Sequence, residues 1–337
     1  MTQQNRHAGT LTALVLVGLL FGAFAPRSTQ AQDTANNKLV PLVGHSLYND
    51  KSPALGDMLA ALPAQPDFSQ ITVQPRLSLP RASTPEGSGL LAQTQVYPSA
   101  MPSLLANFEG LSNSTGVLPP DTNGDIGYDP TTGKKFYFQT VNMSFRFWDV
   151  SDPTIPLPVT PPTANNTFWA GAGGLCETHN DGDPVALFDP LAHRWIFSQF
   201  ALNMPNGPFY QCIAISETAD PLGAWYRYSF QMPDADMNDY PKLAVWPDAY
   251  YMSDHQFHDG ATWNGAGVFA FDRAKMLAGQ PATYIYFNVK DIDINLGGHL
   301  PADFDGLNPP PVGAPGLFME LDHGIAADGD AYLMRIW

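Results

Sequence analysis

The stretch NDGDPVALFDPLAHRWIFSQF, residues 180–200, has a counterpart in MNDYPKLAVWPDAYYMSDHQF, residues 237–257. Both carry Asn-Asp at the start, pass a proline into a short apolar run, turn at Asp189 or Asp248, and end in an aromatic-rich segment. A third run follows each, YQCIAISET and AGVFAFDR, and then a fourth, WYRYSFQM and TYIYFNV. Short runs rich in aromatic and β-branched residues and bounded by Gly, Pro, Asn and Asp read as strands. Four strands recurring as a set are the sequence form of a β-propeller blade. KKFYFQTVN and SFRFWDV extend the pattern toward the N-terminus, and Asp125, Asp183, Asp239 and Asp305 mark successive blade entries. Several runs are apolar on both faces, as sheets covered on both sides require. A sandwich or jelly roll needs no such recurrence. The expected fold is therefore all-β, a β-propeller with four-stranded blades over residues 105–337. Because propellers close with roughly 4 to 8 blades and AYLMRIW reads as a strand in mid-blade, the repeats suggest an incomplete fragment of about 3.5 blades.

Ahead of the repeats, residues 1–31 have the make-up of a signal peptide. Arg6 and His7 precede an apolar run from Leu11 to Ala25, and small residues at Thr29 and Ala31 suit cleavage after Ala31. The run is shorter than the roughly 20 residues that cross a bilayer, so the mature chain is expected to have no transmembrane segment and to be secreted, extracellular or periplasmic. Residues 32–104 read as a Pro/Ser-rich N-terminal arm or linker. One helical hint lies in SPALGDMLAALPA, where Ser52 is placed to cap and Pro53 to occupy the first turn. The two cysteines, Cys176 and Cys212, are most simply a disulfide in an oxidising compartment.

The 337 residues are 44% hydrophobic, enough for a large core. Asp plus Glu number 32 against 16 Lys plus Arg, a formal charge of -16. Nucleic acid is disfavoured as a partner by this sign of field. An extracellular glycan or a cell-envelope component is the expected partner.

The chemistry-bearing residues concentrate at the blade entries. In VLPPDTNGDIGYDP, residues 117–130, Asp121, Asn123, Asp125 and Asp129 alternate as oxygen ligands do in a calcium loop. Ile126 replaces the usual sixth-position glycine and no twelfth-position Glu follows, so an EF-hand is excluded. A Ca2+ site and an array of side-chain-to-backbone turns both fit this spacing. The repeated acids Asp181, Asp183, Asp239, Asp303 and Asp305 would converge if the first strand of each blade lines a central channel. Such a ring can hold a cation, bind sugar hydroxyls, or supply the acid and base of a glycosidase; each Asp capping its own blade gives the same repeat. Glu177, beside Cys176 and ahead of Asp181, is a candidate general acid, with Asp125, Asp183 or Asp239 as its partner. SETADPLGAWYRY is read as structural: Asp220 and Pro221 set a turn, Gly223 supplies positive φ, and Trp225 packs between sheets. Histidine spacing is not zinc-like outside HQFH, and no Ser-centred nucleophile elbow or phosphate-binding glycine loop is present.

With PPDTNGDIG, PFYQCIAISETADPLGAWYRYSF and the two opening stretches in view, the chain resembles a group of uncharacterised secreted bacterial β-propeller-like proteins, over about residues 105–337. The resemblance implies fold and export and brings no activity. A looser similarity to sialidase and glycosidase propellers is one of fold alone. The sequence thus supports an exported propeller with an acidic, cation-binding face for glycan or envelope ligands, and alternatively a glycoside hydrolase or lyase using carboxylates at the propeller mouth. Whether it is an enzyme stays open at this point.

Overall fold

The computed structural model describes residues 39–62, 104–306, 308–326 and 329–336. Residues 1–31, expected to be a signal peptide, and most of the Pro/Ser-rich arm lie outside the described residues. Strand β1 (Leu42–Lys51) and helix α1 (Leu55–Ala61) come first. A first blade follows, with β2 (Asn123–Tyr128), β3 (Lys135–Val141), β4 (Ser144–Asp149) and the short β5 (Leu157–Pro158) and β6 (Thr163–Ala164). After α2 (Leu175–Thr178), the second blade runs β7 (Gly182–Asp189), β8 (Arg194–Leu202), β9 (Phe209–Ser216), β10 (Trp225–Gln231). The third comprises β11 (Asp236–Val245), β12 (Tyr250–His258), β13 (Thr262–Phe271) and, after α3 (Arg273–Leu277), β14 (Thr283–Asn288). A three-stranded sheet closes the series: β15 (Leu300–Pro301), β16 (Phe318–Ala326) and β17 (Gly329–Ile336).

Consecutive strands within each unit pair antiparallel. Strand β7 lies between β2 and β11, and β15 lies beside β11. The first strands of successive units therefore stand side by side around one axis, the arrangement of β-propeller blades. All ten expected strands are present, as β3, β4 and β7 to β14.

The second blade shows why its strands are apolar on both faces. Trp195, Phe197, Cys212 and Ala214 face the first blade, where they meet Phe136, Phe138, Phe145 and Phe147. The alternate residues Ile196, Ile213 and Ile215 face the third blade, where they meet Met252, Phe269 and Tyr286. Side chains alternate along a strand, so one sheet feeds two cores. At Gly127 the blades approach so closely that a Cβ would lie 2.4 Å from both Phe188 and Trp195 ring carbons. Cys176 and Cys212 form a disulfide between α2 and β9, buried in the first of these cores.

SETADPLGAWYRY is structural, as expected. Trp225 is buried and its indole N–H donates to Pro221 O, while Ser216 Oγ accepts from Trp195 N and donates to Thr218 O. Gly223, however, has no positive φ; its N–H closes the turn on Asp220 O.

The arm departs most from its sequence reading. Leu42–Lys51 is a strand inserted between the outer edges of two blades, antiparallel to β10 on one side and β14 on the other. Open strand edges are strong pairing sites, and this segment fills two of them. Helix α1 forms where the pattern indicated, but Ser52 does not cap it: the N-cap is Ala54, and Ser52 Oγ instead accepts from Trp225 N at 3.0 Å. Leu55 seats in the core. Asp50 meets the buried Arg227, with Oδ1 accepting from Nε at 2.7 Å and Oδ2 paired to the second nitrogen. Among the described residues no helix is long and apolar enough to cross a membrane.

Asp50→Ala leaves the Arg227 guanidinium buried without its carboxylate. Because Asp50 is partly exposed and Arg227 keeps the Ala170 carbonyl, the cost is expected below the roughly 3 to 5 kcal/mol of a fully buried pair, and the urea midpoint is expected to fall; an unchanged midpoint contradicts this role for β1.

Candidate functional site

Each of the first three inner strands has a residue in the left-handed region near its start: Asp121 (φ 41°) just before β2, Asp183 (φ 45°) at the register shift that opens β7, and Tyr240 (φ 54°) at the register shift within β11. Such backbone is uncommon outside glycine, and its recurrence identifies the structurally equivalent positions. By this mark Asp125 is not the counterpart of Asp183, and Asp239 precedes the matching residue of β11, Tyr240, by one. The entries surround a cavity of about 200 Å³ whose lining includes Asp121, Asn123, Asp183, Tyr240 and Lys242.

Three carboxyls interact here. Burial, then the charges of Asp239 and Asp121, push Asp183 up to about 7. Burial and then Asp121 raise Asp239 to about 6. Lys242 stands among them; burial draws its ammonium down and the three aspartates oppose that shift. Its Nζ lies 3.5 Å from the centre of the Tyr240 ring, which stacks on His255 at 5.2 Å. His255 is lowered to about 4 by burial, Lys242 and His299, so it is neutral at pH 7. Its Nε2 accepts from Gly298 N.

Buried Asn142 ties two of the entries together. Its Nδ2 donates to Asp121 Oδ2 at 2.6 Å and to Pro119 O, and its Oδ1 accepts from Asp183 N at 2.9 Å. A carboxyl protonated near neutrality beside an exposed carboxylate held by an amide is an acid–base arrangement.

The remaining acids form other groups. Asp125 on β2 and Asp303 and Asp305 in the loop after β15 lie close enough for their charges to interact. Burial, then Asp305, raises Asp125, while burial, then Asp305 and Asp125, raises Asp303 to about 6 although part of that residue stays exposed. Asp181 Oδ2 contacts His179 Nδ1 at 3.1 Å and accepts from Leu202 N at 2.7 Å.

The expected calcium loop is, in part, strand β2, and its oxygens are engaged elsewhere. Asn123 Oδ1 accepts from Ala186 N, Asp125 Oδ2 from Phe188 N, each at 2.7 Å. Asp129 accepts from Thr131 N and the Thr132 hydroxyl within its own turn. Among the described residues no group of three or more His, Cys, Asp or Glu side chains is placed to hold a metal. The Asn and Asp of β2 satisfy the free edge of the next blade, a need that no local pattern announces. Glu177 likewise serves its own loop: its two oxygens accept from Gly171 N and Gly173 N at 2.7 and 2.6 Å, and it is absent from the lining of the mouth.

Sequence reasoning passed over Lys242, Tyr240 and Asn142, and noted His255 only as the first histidine of HQFH. Lys242 had a signal, since it replaces Val185 in the aligned entries. Asn142 had none, because its side-chain partners come from two other segments, residues 119–121 and Asp183.

No family model and no curated protein matches the chain. Similar solved structures include a GH43 endo-arabinanase from Bacillus licheniformis, at 12% identity and TM-score 0.28 over 46% of this chain and 52% of that one. They also include an exo-1,5-alpha-L-arabinanase from a bovine ruminal metagenomic library, at 12% identity and TM-score 0.26 over 64% of this chain and 92% of that one. The chain spans about half the length of the first. Likeness at this level carries no argument; the fold rests on the strand order given above.

The mouth makes stability depend on pH. Folded Asp183 holds its proton up to about pH 7, the unfolded side chain only to about 4. Between those values the folded state carries more protons, so stability falls as pH rises. Melting curves from pH 4 to 8 are expected to show Asp183→Asn gaining on the native chain across this window; parallel curves contradict the buried-acid reading.

Proposed function

We propose that the mouth is the active site of a glycoside hydrolase acting outside the cytoplasm. One observation carries the reading: aspartates from two successive blades, Asp121 and Asp183, line one cavity, and burial with the nearby charges of Asp239 and Asp121 pushes Asp183 up to about 7. Hydrolysis of a glycosidic bond needs one carboxylic acid to protonate the leaving oxygen and one carboxylate on the opposite side. Asp183 is the proton donor. Asp121, exposed and oriented by Asn142, is the carboxylate that activates water or stabilises the cationic sugar. Burial, then the charges of Asp239 and Asp121, hold the proton on Asp183, and Lys242 limits the total negative charge. A space of about 200 Å³ is below the roughly 300 to 1,000 Å³ of drug-sized sites, and suits one sugar unit at a time. The disulfide fits an exported protein.

The second reading is binding without turnover. It is favoured by the hydrogen bond that Asp183 Oδ2 already accepts from Tyr240 N at 2.9 Å, which gives this carboxyl a structural duty.

A panel of neutral, acidic and amino-sugar polysaccharides, scored for both retention and released sugar, separates the two. Hydrolysis is expected, with a rate that falls above about pH 7 as Asp183 loses its proton. Asp183→Asn is expected to lose about 10²-fold or more in kcat with substrate affinity kept. Retention without released sugar supports the binding reading, and neither defeats both. Calcium has its own check: a melting temperature higher in calcium than in chelator restores a metal to the acidic face, and equal curves agree with the engaged oxygens of β2.

A further inference from the structure

Strand β1 belongs to neither of the repeats it joins. It fills a cleft between β10 and β14 and pairs with both. Its fixed points are side-chain specific: Asp50 on buried Arg227, Ser52 on Trp225 N, and Leu55 in the core. Backbone hydrogen bonds from Ser46 to Ala282 and from Ser52 to Trp225 complete the fit. The hydrogen bonds that β1 and the turn after it make beyond themselves run to the second and third blades. The first blade, next in sequence, supplies none of these hydrogen bonds.

The connection leaves the source of the strand open. Residues 63–103 separate α1 from the next described segment, and at about 3.3 Å per residue their contour exceeds roughly 100 Å. Nothing in that length obliges the segment to occupy the cleft of its own chain.

We infer that the cleft between β10 and β14 is a strand-accepting site whose occupant is exchangeable, and that residues 42–61 of a second copy of this chain fit it. The same ladder and the same ion pair form whichever copy supplies the strand. The two arrangements differ chiefly in tether entropy: a linker in the same chain holds the strand at an effective concentration on the order of millimolar or less. Exchange in both directions gives a closed two-fold dimer and becomes competitive when chains refold together at high concentration.

The test uses two full-length variants, V43C and I285C. Val43 and Ile285 are register partners across β1 and β14, and both are exposed. Opposed residues of antiparallel strands lie within disulfide reach. Equal amounts are unfolded, refolded together without reductant at high and at low concentration, and run on a non-reducing gel. A V43C–I285C heterodimer at high concentration, at least ten-fold depleted at low concentration and absent when V43C is refolded alone, is the expected result. The proposal is overturned if no heterodimer forms while the V43C/I285C double variant closes its own disulfide. Light scattering on co-refolded native chain provides an independent reading: a doubled mass at high concentration is expected, and a monomeric mass at every concentration overturns the proposal.

Discussion

The hydrogen bond from a free-edge amide of one inner strand to a side-chain oxygen of a neighbouring one is the interaction on which this architecture turns. Each blade is a meander, so its first strand pairs on one side and leaves amides unmatched on the other. Buried amides without partners are costly, and exposed ones invite aggregation. Here Asn123 and Asp125 accept from Ala186 and Phe188, Asp183 from Tyr240, and Asp303 from Val245. Asp189 adds a related clasp from the end of its strand, reaching Tyr250 and Arg273 in the next blade. These bonds set the spacing between blades, and the aromatic cores then fill that spacing.

The same constraint concentrates acid around the axis. A carboxylate is a strong acceptor for an edge amide, so stitching blades with Asp places several negative groups near one another. Where water still reaches, as at Asp121, the cost is small. Where burial is partial and other acids crowd in, the proton is held longer: Asp183 and Asp239 are pushed well above the usual carboxylate range, for burial first and neighbouring charge second. A carboxyl pushed toward neutral pH is thus a by-product of the way the blades are joined. Lys242 moderates the result from within the cavity, and its stacking partner Tyr240 is fixed by His255.

The strands were legible because both faces of a blade are apolar, and ten runs of aromatic and β-branched residues carry that requirement openly. Strand β2 was hidden because Asn123, Gly124, Asp125 and Gly127 are poor strand formers, present for contacts with the next blade. Strand β1 was hidden for a different reason. Its partners Phe230 and Tyr286 lie far along the chain, and nothing near it in sequence marks the cleft. At the site, the acids themselves stood out, but their grouping did not: Asp125 shares a period with Asp183 and yet lies with Asp303 and Asp305. Glu177 looked catalytic by its neighbours in sequence and turned out to brace a glycine loop.

The sequence by itself determined the all-β class, the repeat, the paired cysteines and the set of acidic residues from which a site can be built. Those properties follow from local composition and periodicity, which a linear chain displays directly. Tertiary structure decided which acids meet, which hydrogen bonds consume their oxygens, which carboxyl keeps its proton, and where the N-terminal strand lodges. Those outcomes depend on burial and on distances between residues far apart in the chain, and both arise only when the blades are packed.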